Sequence, residues 1–456
     1  MSEPIISVSG LRGVVGESLT PLVATRFAAA FAAGLLKGKI VVTRDGRSSG
    51  DMIAAAVTAG ILASGHDVVD CGIAATPTTG VLVREQRAVG GVQISASHNP
   101  SQYNGLKLFS GEGRVIPALA GETVLARYRS GEMIWTTVDG VGRIERVTDT
   151  TSAHLQKVLA RVNVARIRSC KFRVLLDSNH GAGSILGRLL LEALGCEVTL
   201  LGGSPDGEFE HLPEPTAENL AGVCDQVKSA GCVIGFCQDP DADRLAVIDE
   251  QGRYVGEEYT LALCLDHVLR RAPGVVVTNC ATSRMSEDLT ELHGGAFHRA
   301  AVGEANVVDQ MIAWSAVFGG EGNGGPIDPK VGYVRDSFVG MALILDAMAA
   351  RKMPVSALAS ELPKYAIQKD KVTLQRERIP AALKAIAERF TEASVSRLDG
   401  VRCDWPRKWL IVRASNTEPI VRIIAEAPTA EEAQSLCQEA AAAMQGPVVP
   451  GASPTP

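Results

Sequence analysis

The sequence predicts a multidomain α/β protein, on three observations. The chain has 456 residues, more than one hydrophobic core usually organises, which sets an expectation of roughly two to four domains. A short β-branched run, a Gly- or Asp-bearing turn and an Ala/Leu-rich helical stretch recur along it. Towards the C-terminus that rhythm gives way to closely spaced strands. Hydrophobic residues make up 46% and charged residues 21%, a balance that buries cores and leaves a polar surface, so disorder is not expected. The formal net charge is −6 with Lys and Arg scattered, which argues against nucleic acid or anionic lipid as a partner and towards a small molecule.

The elements follow in order. Leu22 to Leu36 is Ala-rich, contains Arg26 and is too short for a membrane span of roughly 20 residues, so it predicts a buried helix. Lys39 to Thr43 is a strand, Arg44-Asp45-Gly46-Arg47 its turn, and a helix runs on to Ala63 before a strand at Asp67 to Asp70. The theme returns at Phe172 to Leu176, with the turn Asp177-Ser178-Asn179-His180-Gly181-Ala182-Gly183, a helix ending near Leu194, and a strand from Glu197 to Leu201. A third instance has a strand at Gly274 to Thr278, a helix from Arg284 to Leu292, and Val302-Gly303 heading another helix. These predict three related mixed-sheet α/β units. Strands at Val372 to Leu374, Gly400 to Cys403, Trp409 to Val412 and Ile420 to Ala425, with helices at Ile379 to Phe390 and Ala430 to Ala443, predict a C-terminal α+β domain. The expected domains are 1–150, 151–252, 253–368 and 369–446, with a disordered Pro-rich tail at 447–456. No charged and apolar leader opens the chain, which predicts a cytoplasmic protein. In that setting the ten cysteines, none in a C-x-x-C pair, are expected to be free, buried thiols.

Four segments carry chemistry. Ser95-Ala96-Ser97-His98-Asn99-Pro100 follows the apolar run Gly90 to Ile94, so a strand delivers a hydroxyl and an imidazole to a turn. Alone it reads equally well as a turn satisfying its own backbone. Lys107, after Tyr103-Asn104-Gly105, lies within reach of the same loop and can act as acid or base if nearby cations lower its pKa. Asp239-Pro240-Asp241-Ala242-Asp243-Arg244 places carboxylates at alternate positions between two apolar strands. Such charges repel unless a hard divalent ion compensates, and the string lacks the EF-hand spacing. Gly319-Gly320-Glu321-Gly322-Asn323-Gly324-Gly325 permits close backbone approach, with Glu321 and Asn323 able to bond hydroxyls, so a polyol is the expected ligand. Arg413-Ala414-Ser415-Asn416-Thr417-Glu418-Pro419 offers a guanidinium, hydroxyls and an amide, either a phosphate cradle joined by Arg422 or a capping turn.

Together and in this order, the four segments resemble the motifs of the α-D-phosphohexomutase family over nearly the whole chain, and Val8-Ser9-Gly10-Leu11-Arg12-Gly13 is similar to its opening segment. The resemblance implies four domains around a central cleft and a phosphate carried on Ser97. It implies Mg²⁺ held by Asp239, Asp241, Asp243 and an oxygen on Ser97, and Lys107, His98, Arg12 and Arg244 around the transferring group. Glu321 and Asn323 are then expected on the sugar, and Arg413, Ser415, Asn416, Thr417 and Arg422 on the second phosphate. It also implies a sugar bisphosphate as activator and intermediate, and a hexose phosphate as substrate. The Glu321-Gly322-Asn323-Gly324-Gly325 form and Val302-Gly303-Glu304-Ala305-Asn306-Val307 are most similar to archaeal-type phosphoglucosamine mutases. That favours conversion of glucosamine-6-phosphate to glucosamine-1-phosphate, with Glu321 and Glu304 attracting a sugar ammonium. The alternative is mannose or glucose phosphate. Nothing in the sequence bears on oligomeric state.

Overall fold

A computed structural model describes residues 4–7, 10–414 and 420–445. Val8, Ser9, Ser415, Asn416, Thr417 and the tail expected to be disordered lie outside the described residues. The first sheet holds β1 (Ile5–Ser7), β2 (Gly10–Val14), β3 (Lys39–Arg44), β4 (Asp67–Ile73), β5 (Gly90–Ile94), β6 (Tyr103–Ser110) and β7 (Ile144–Arg146), in the order β1-β2-β6-β5-β3-β4-β7. The second holds β8 (Arg173–Asp177), β9 (Glu197–Leu201), β10 (Ile234–Gln238) and β11 (Leu245–Asp249), in the order β11-β10-β8-β9. The third holds β12 (Val275–Asn279), β13 (Ala296–Ala300), β14 (Phe318–Glu321) and β15 (Gly325–Ile327), in the order β13-β12-β14-β15.

All three contain one motif. A central strand (β3, β8, β12) has a parallel neighbour on each side, and one of these (β5, β10, β14) turns back into an antiparallel partner (β6, β11, β15). The hairpin closing each motif carries one of the first three segments singled out above. Strands buried on both faces read as continuous apolar runs, and β10 and its antiparallel partner β11 are buried at every position. The fourth unit is antiparallel throughout, β16 (Ala366–Thr373), β17 (Ser394–Ser396), β18 (Val401–Trp405), β19 (Lys408–Ala414) and β20 (Ile420–Ala427) in the order β16-β20-β19-β18-β17, with helices at Ile379–Arg389 and Ala430–Gln445.

The Ala-rich stretch forms the helix Pro21–Ala32, with Pro21 in its first turn and Thr20 Oγ1 accepting from Val23 N. It is not buried throughout, as the sequence suggested: Leu22 is 67% exposed and Leu36, beyond the helix, 83%. Its small residues instead allow close approach of the helix Gly50–Ala63, where a Cβ on Gly60 would lie 2.4 Å from the Thr25 carbonyl oxygen. The second and third units share one core, and the helix Ser337–Arg351, buried from Ser337 to Ala349, runs through it. The ten cysteines are free, but Cys170 is exposed and Cys196 and Cys224 are only partly buried. Among the described residues no helix is long and apolar enough to cross a membrane.

Candidate active site

Each hairpin loop is gripped by the turn that leaves the central strand of its own sheet. In the first unit the turn after β3 supplies Arg47, whose Nη2 donates to the carbonyls of Ser97 (2.7 Å) and Asn99 (2.6 Å). In the second, the turn after β8 supplies the Ala182 N–H to the Pro240 carbonyl at 2.8 Å. In the third, Asn279 at the end of β12 donates from Nδ2 to Glu321 Oε1 at 2.8 Å, and Thr282 Oγ1 accepts from Gly322 N at 3.0 Å. Side chains distant in sequence therefore meet because the same strand pairing recurs.

The first two loops meet each other. Ser97, 1% exposed with φ of 50°, directs its hydroxyl to Asp239 Oδ2 at 2.8 Å. Asp239, Asp241 and Asp243 are each fully buried, and each offers an oxygen within 4.8 Å of the others. Lys107 Nζ donates to Asp241 Oδ2 at 3.0 Å and to Asp243 Oδ2 at 2.8 Å, and Thr76 Oγ1 donates to Asp241. Burial and the charges of Asp241 and Asp243 push the Asp239 carboxyl well above its usual range. Although burial opposes it, Arg335 and Lys107 hold Asp243 below that range. Asp241 Oδ1 and Asp243 Oδ1 are buried without a hydrogen-bond partner. Three converging carboxylates, two of them with an unpaired oxygen, fit a hard divalent cation bound through oxygen.

The surroundings are cationic. Arg12 Nη1 donates to Asn99 Oδ1 at 3.0 Å, and the backbone N–H of Arg244 donates to Asp239 Oδ1 at 3.0 Å. His98 Nδ1 lies 3.3 Å from Ser97 Oγ, and burial, then Arg244 and Arg12, push its pKa down to about 3, which leaves the imidazole neutral. The lowered pKa that would make Lys107 a base is not found. Burial acts in that direction, but Asp241 and Asp243 outweigh it and raise the value, because the nearest charges are anions of the second unit.

Arg335, which the sequence reading missed, ties the third loop to this cluster. It is 8% exposed and bonds Asp243 Oδ2 (2.6 Å), Glu304 Oε2 (3.1 Å) and Glu321 Oε2 (2.7 Å). Glu321 also accepts from Asn279 and from the Gly303 N–H at 3.1 Å, so both its oxygens are engaged. Asn323 Oδ1, in the same loop, is buried with no partner. The string Arg335-Asp336-Ser337 before an apolar helix reads as a cap, and Asp336 does accept from Phe338 N and Val339 N, which masks the arginine beside it. Asp45, Ser95 and Thr76 were missed for the same reason: each looks like an ordinary turn or cap residue.

In the fourth unit Arg413 stands opposite Arg422 across β19 and β20. Arg413 Nε donates to Asp399 Oδ2 at 2.9 Å, and the same oxygen accepts from the Val302 N–H at 3.1 Å, next to Gly303. Arg413 is thus joined through hydrogen bonds to the Glu321 loop, whereas Ser415, Asn416 and Thr417 lie outside the described residues.

Comparison with known proteins agrees along the whole chain. Family models described as phosphoglucomutase/phosphomannomutase alpha/beta/alpha domains I, II and III match residues 5–134, 152–252 and 257–365, and the C-terminal domain model matches 369–443. A phosphoglucomutase/phosphomannomutase of Thermococcus kodakarensis is 36% identical over 93% of this chain and 95% of its own length. A probable phosphoglucosamine mutase of Methanopyrus kandleri is 33% identical over 94% of this chain and 95% of its own. The crystal structure of a phosphoglucomutase/phosphomannomutase family protein from Burkholderia thailandensis superposes with a TM-score of 0.85 at 28% identity, covering 99% of both chains. With four domain models in sequence and relatives of matching length, this chain belongs to the phosphoglucomutase/phosphomannomutase family and is a phosphohexomutase, an isomerase.

Proposed function

We propose that the chain interconverts glucosamine-6-phosphate and glucosamine-1-phosphate through a phosphate carried on Ser97 and a sugar bisphosphate intermediate. The observation that carries this reading is the 2.8 Å contact of Ser97 Oγ with Asp239 inside a buried, three-carboxylate cluster. Asp239, Asp241 and Asp243, with an oxygen on Ser97, would hold Mg²⁺, which when bound neutralises charge on the phosphoryl oxygens. In the first half-reaction the bond from phosphorus to Ser97 Oγ breaks and one from phosphorus to a sugar hydroxyl oxygen forms. The hydroxyl proton ends on Ser97 Oγ, which then donates to Asp239. After the bisphosphate turns round, the reverse step takes its other phosphate back to the serine. Arg12, Lys107 and Arg244 supply fixed positive charge around the transferring group, and neutral His98 stands beside the serine. Glu321 and Asn323 would hold the sugar. Arg413 and Arg422, with Ser415, Asn416 and Thr417, would hold the phosphate at rest.

Relatives labelled probable phosphoglucosamine mutase support the amino sugar. A second reading, glucose or mannose phosphate, is favoured by one observation: Glu304 and Glu321 share Arg335, so their charge is compensated and attracts a sugar ammonium less. The test is to incubate the enzyme with Mg²⁺, a trace of sugar bisphosphate and each of the three sugar 6-phosphates, measuring 1-phosphate and free phosphate. We expect the highest kcat/KM with glucosamine-6-phosphate and almost no free phosphate. Equal or greater kcat/KM with glucose or mannose would transfer the assignment to those sugars, and net hydrolysis would remove it.

A further inference from the structure

The turn Arg44-Asp45-Gly46-Arg47 has no part in the reading above, yet it holds both backbone polar groups of Ser97. Arg47 is 2% exposed, and all five of its guanidinium N–H groups are used. Nε donates to Asp45 Oδ2 at 3.1 Å, Nη1 to the carbonyls of Pro100 (2.7 Å) and Tyr103 (3.0 Å), and Nη2 to those of Ser97 (2.7 Å) and Asn99 (2.6 Å). Asp45, fully buried, accepts from the Arg47 N–H at 3.0 Å and from Ser95 Oγ at 2.6 Å. Ser95 Oγ in turn accepts the Ser97 N–H at 2.9 Å. One buried ion pair therefore fixes the Ser97 carbonyl directly and its N–H through one hydroxyl.

This bracing falls where the backbone needs it. Ser97 has φ of 50°, a conformation that L side chains adopt rarely and keep only when the surroundings over-determine it. Rotation of Ser97 back to negative φ would carry its hydroxyl off the line to Asp239. The second unit closes over the clamp: the Phe209 ring lies 5.1 Å from the Arg47 guanidinium carbon, and a Cβ on Gly207 would meet the Gly46 carbonyl oxygen at 2.6 Å. Lysine could not substitute, because a single ammonium cannot span four carbonyls from residue 97 to residue 103 as the planar fork does.

We propose that Arg47, seated by Asp45, is a positioning residue that holds Ser97 in its left-handed conformation and so aims the hydroxyl at the carboxylate cluster. The proposal rests on the reading of Ser97 as phosphate carrier, and its test separates the two. Arg47→Lys and the milder Ser95→Ala are compared with the wild type in sugar phosphate turnover, phosphate uptake onto Ser97 from glucose 1,6-bisphosphate, and amide exchange of the 95–103 segment. For Arg47→Lys we expect kcat to fall by about 100-fold with KM within about twofold, as displacement of a reacting group by an ångström does. Ser95→Ala should fall by about tenfold, and amide exchange should accelerate over 95–103 alone in both variants. Unchanged kcat and unchanged local exchange in Ser95→Ala, or a Tm loss with normal kcat per folded molecule, would overturn the proposal, and if Arg47→Lys does not fold, Ser95→Ala decides. A wild type that takes up no phosphate on Ser97 would sink the functional reading instead, and the exchange measurement would still judge the clamp.

Discussion

The loops of the first and second units occupy the same place in the same strand motif, yet they are held by opposite charges. Loop 95–102 is closed from within its own unit, by a guanidinium that grips its carbonyls. Loop 239–244 presents three buried carboxylates, and the cations that meet them come from elsewhere: Lys107 from the first unit and Arg335 from the third. Both loops contain one non-glycine residue at positive φ, Ser97 at 50° and Ala242 at 55°. The third loop uses glycine at its positive-φ positions instead, with Gly320 at 146° and Gly324 at 81°. The backbone of the first loop is thus held from within its own unit, whereas the second reaches charge balance only where three units meet. The site is in that sense a property of the junction.

The largest effect is expected at Ser97 of the first loop, whose hydroxyl is proposed to carry the phosphate. Ser97→Ala should abolish turnover and any phosphate increment in the intact mass. The clamp holds the backbone rather than the hydroxyl, so Tm should stay within about 2 °C of wild type, as for a substitution that breaks no core or clamp contact. Residual turnover above about 1% of wild type would show that another group carries the phosphate.

Arg335→Met tests the opposite property of the second loop. It leaves Asp243, Glu304 and Glu321 buried without their common cation, which by analogy with broken buried ion pairs costs about 3–5 kcal/mol. Thermal unfolding should show the loss, and the double variant with Glu304→Met should lose less than the two single changes added together. Strict additivity would mean that the three carboxylates do not share one charge, and the contrast between the loops would fail.

What was legible in the sequence follows the same division. Alternating aspartates, a glycine run and a Ser-His-Asn-Pro turn are local strings, and β9 and the helix ending at Ala63 fall where the pattern placed them. Arg335, Thr76 and the Arg47 clamp were invisible because the site residues they reach, Asp243, Asp241 and Ser97, lie 50 or more residues away in sequence. Lys107 was misjudged for the same reason, since its neighbours in space are acids of another unit. The strand expected at Val372 to Leu374 is in fact β16, which begins at Ala366. Its middle, Gln368-Lys369-Asp370-Lys371, is the charged run of an edge strand, which protects against pairing with another sheet and hides the period-two pattern. The helix Ser337–Arg351 lacks an amphipathic stripe because it is buried on every side.

The smallest effect expected comes from the fastenings of the turns themselves. The clamp in the first unit is a buried guanidinium–carboxylate pair, in which burial pushes the Asp45 carboxyl up although Arg47 and Ser95 oppose it. The turn after β8 is fastened differently: His211 Nε2 meets Asp177 Oδ2 at 2.8 Å, and His211 Nδ1 lies 2.9 Å from the Leu212 carbonyl oxygen. Burial lowers the pKa of His211, but the Asp177 bond and charge outweigh it and raise the value above 6.5. A raised imidazole pKa means that the folded state binds the proton more tightly. The stabilisation is therefore complete below the unfolded value of 6.5 and is lost as pH rises through the higher folded value. Tm of the wild type should fall more between about pH 6 and pH 8.5 than Tm of His211→Gln, by no more than about 1 °C in a chain of this length. Parallel pH slopes in the two proteins would mean that the second turn is held by contacts that do not titrate.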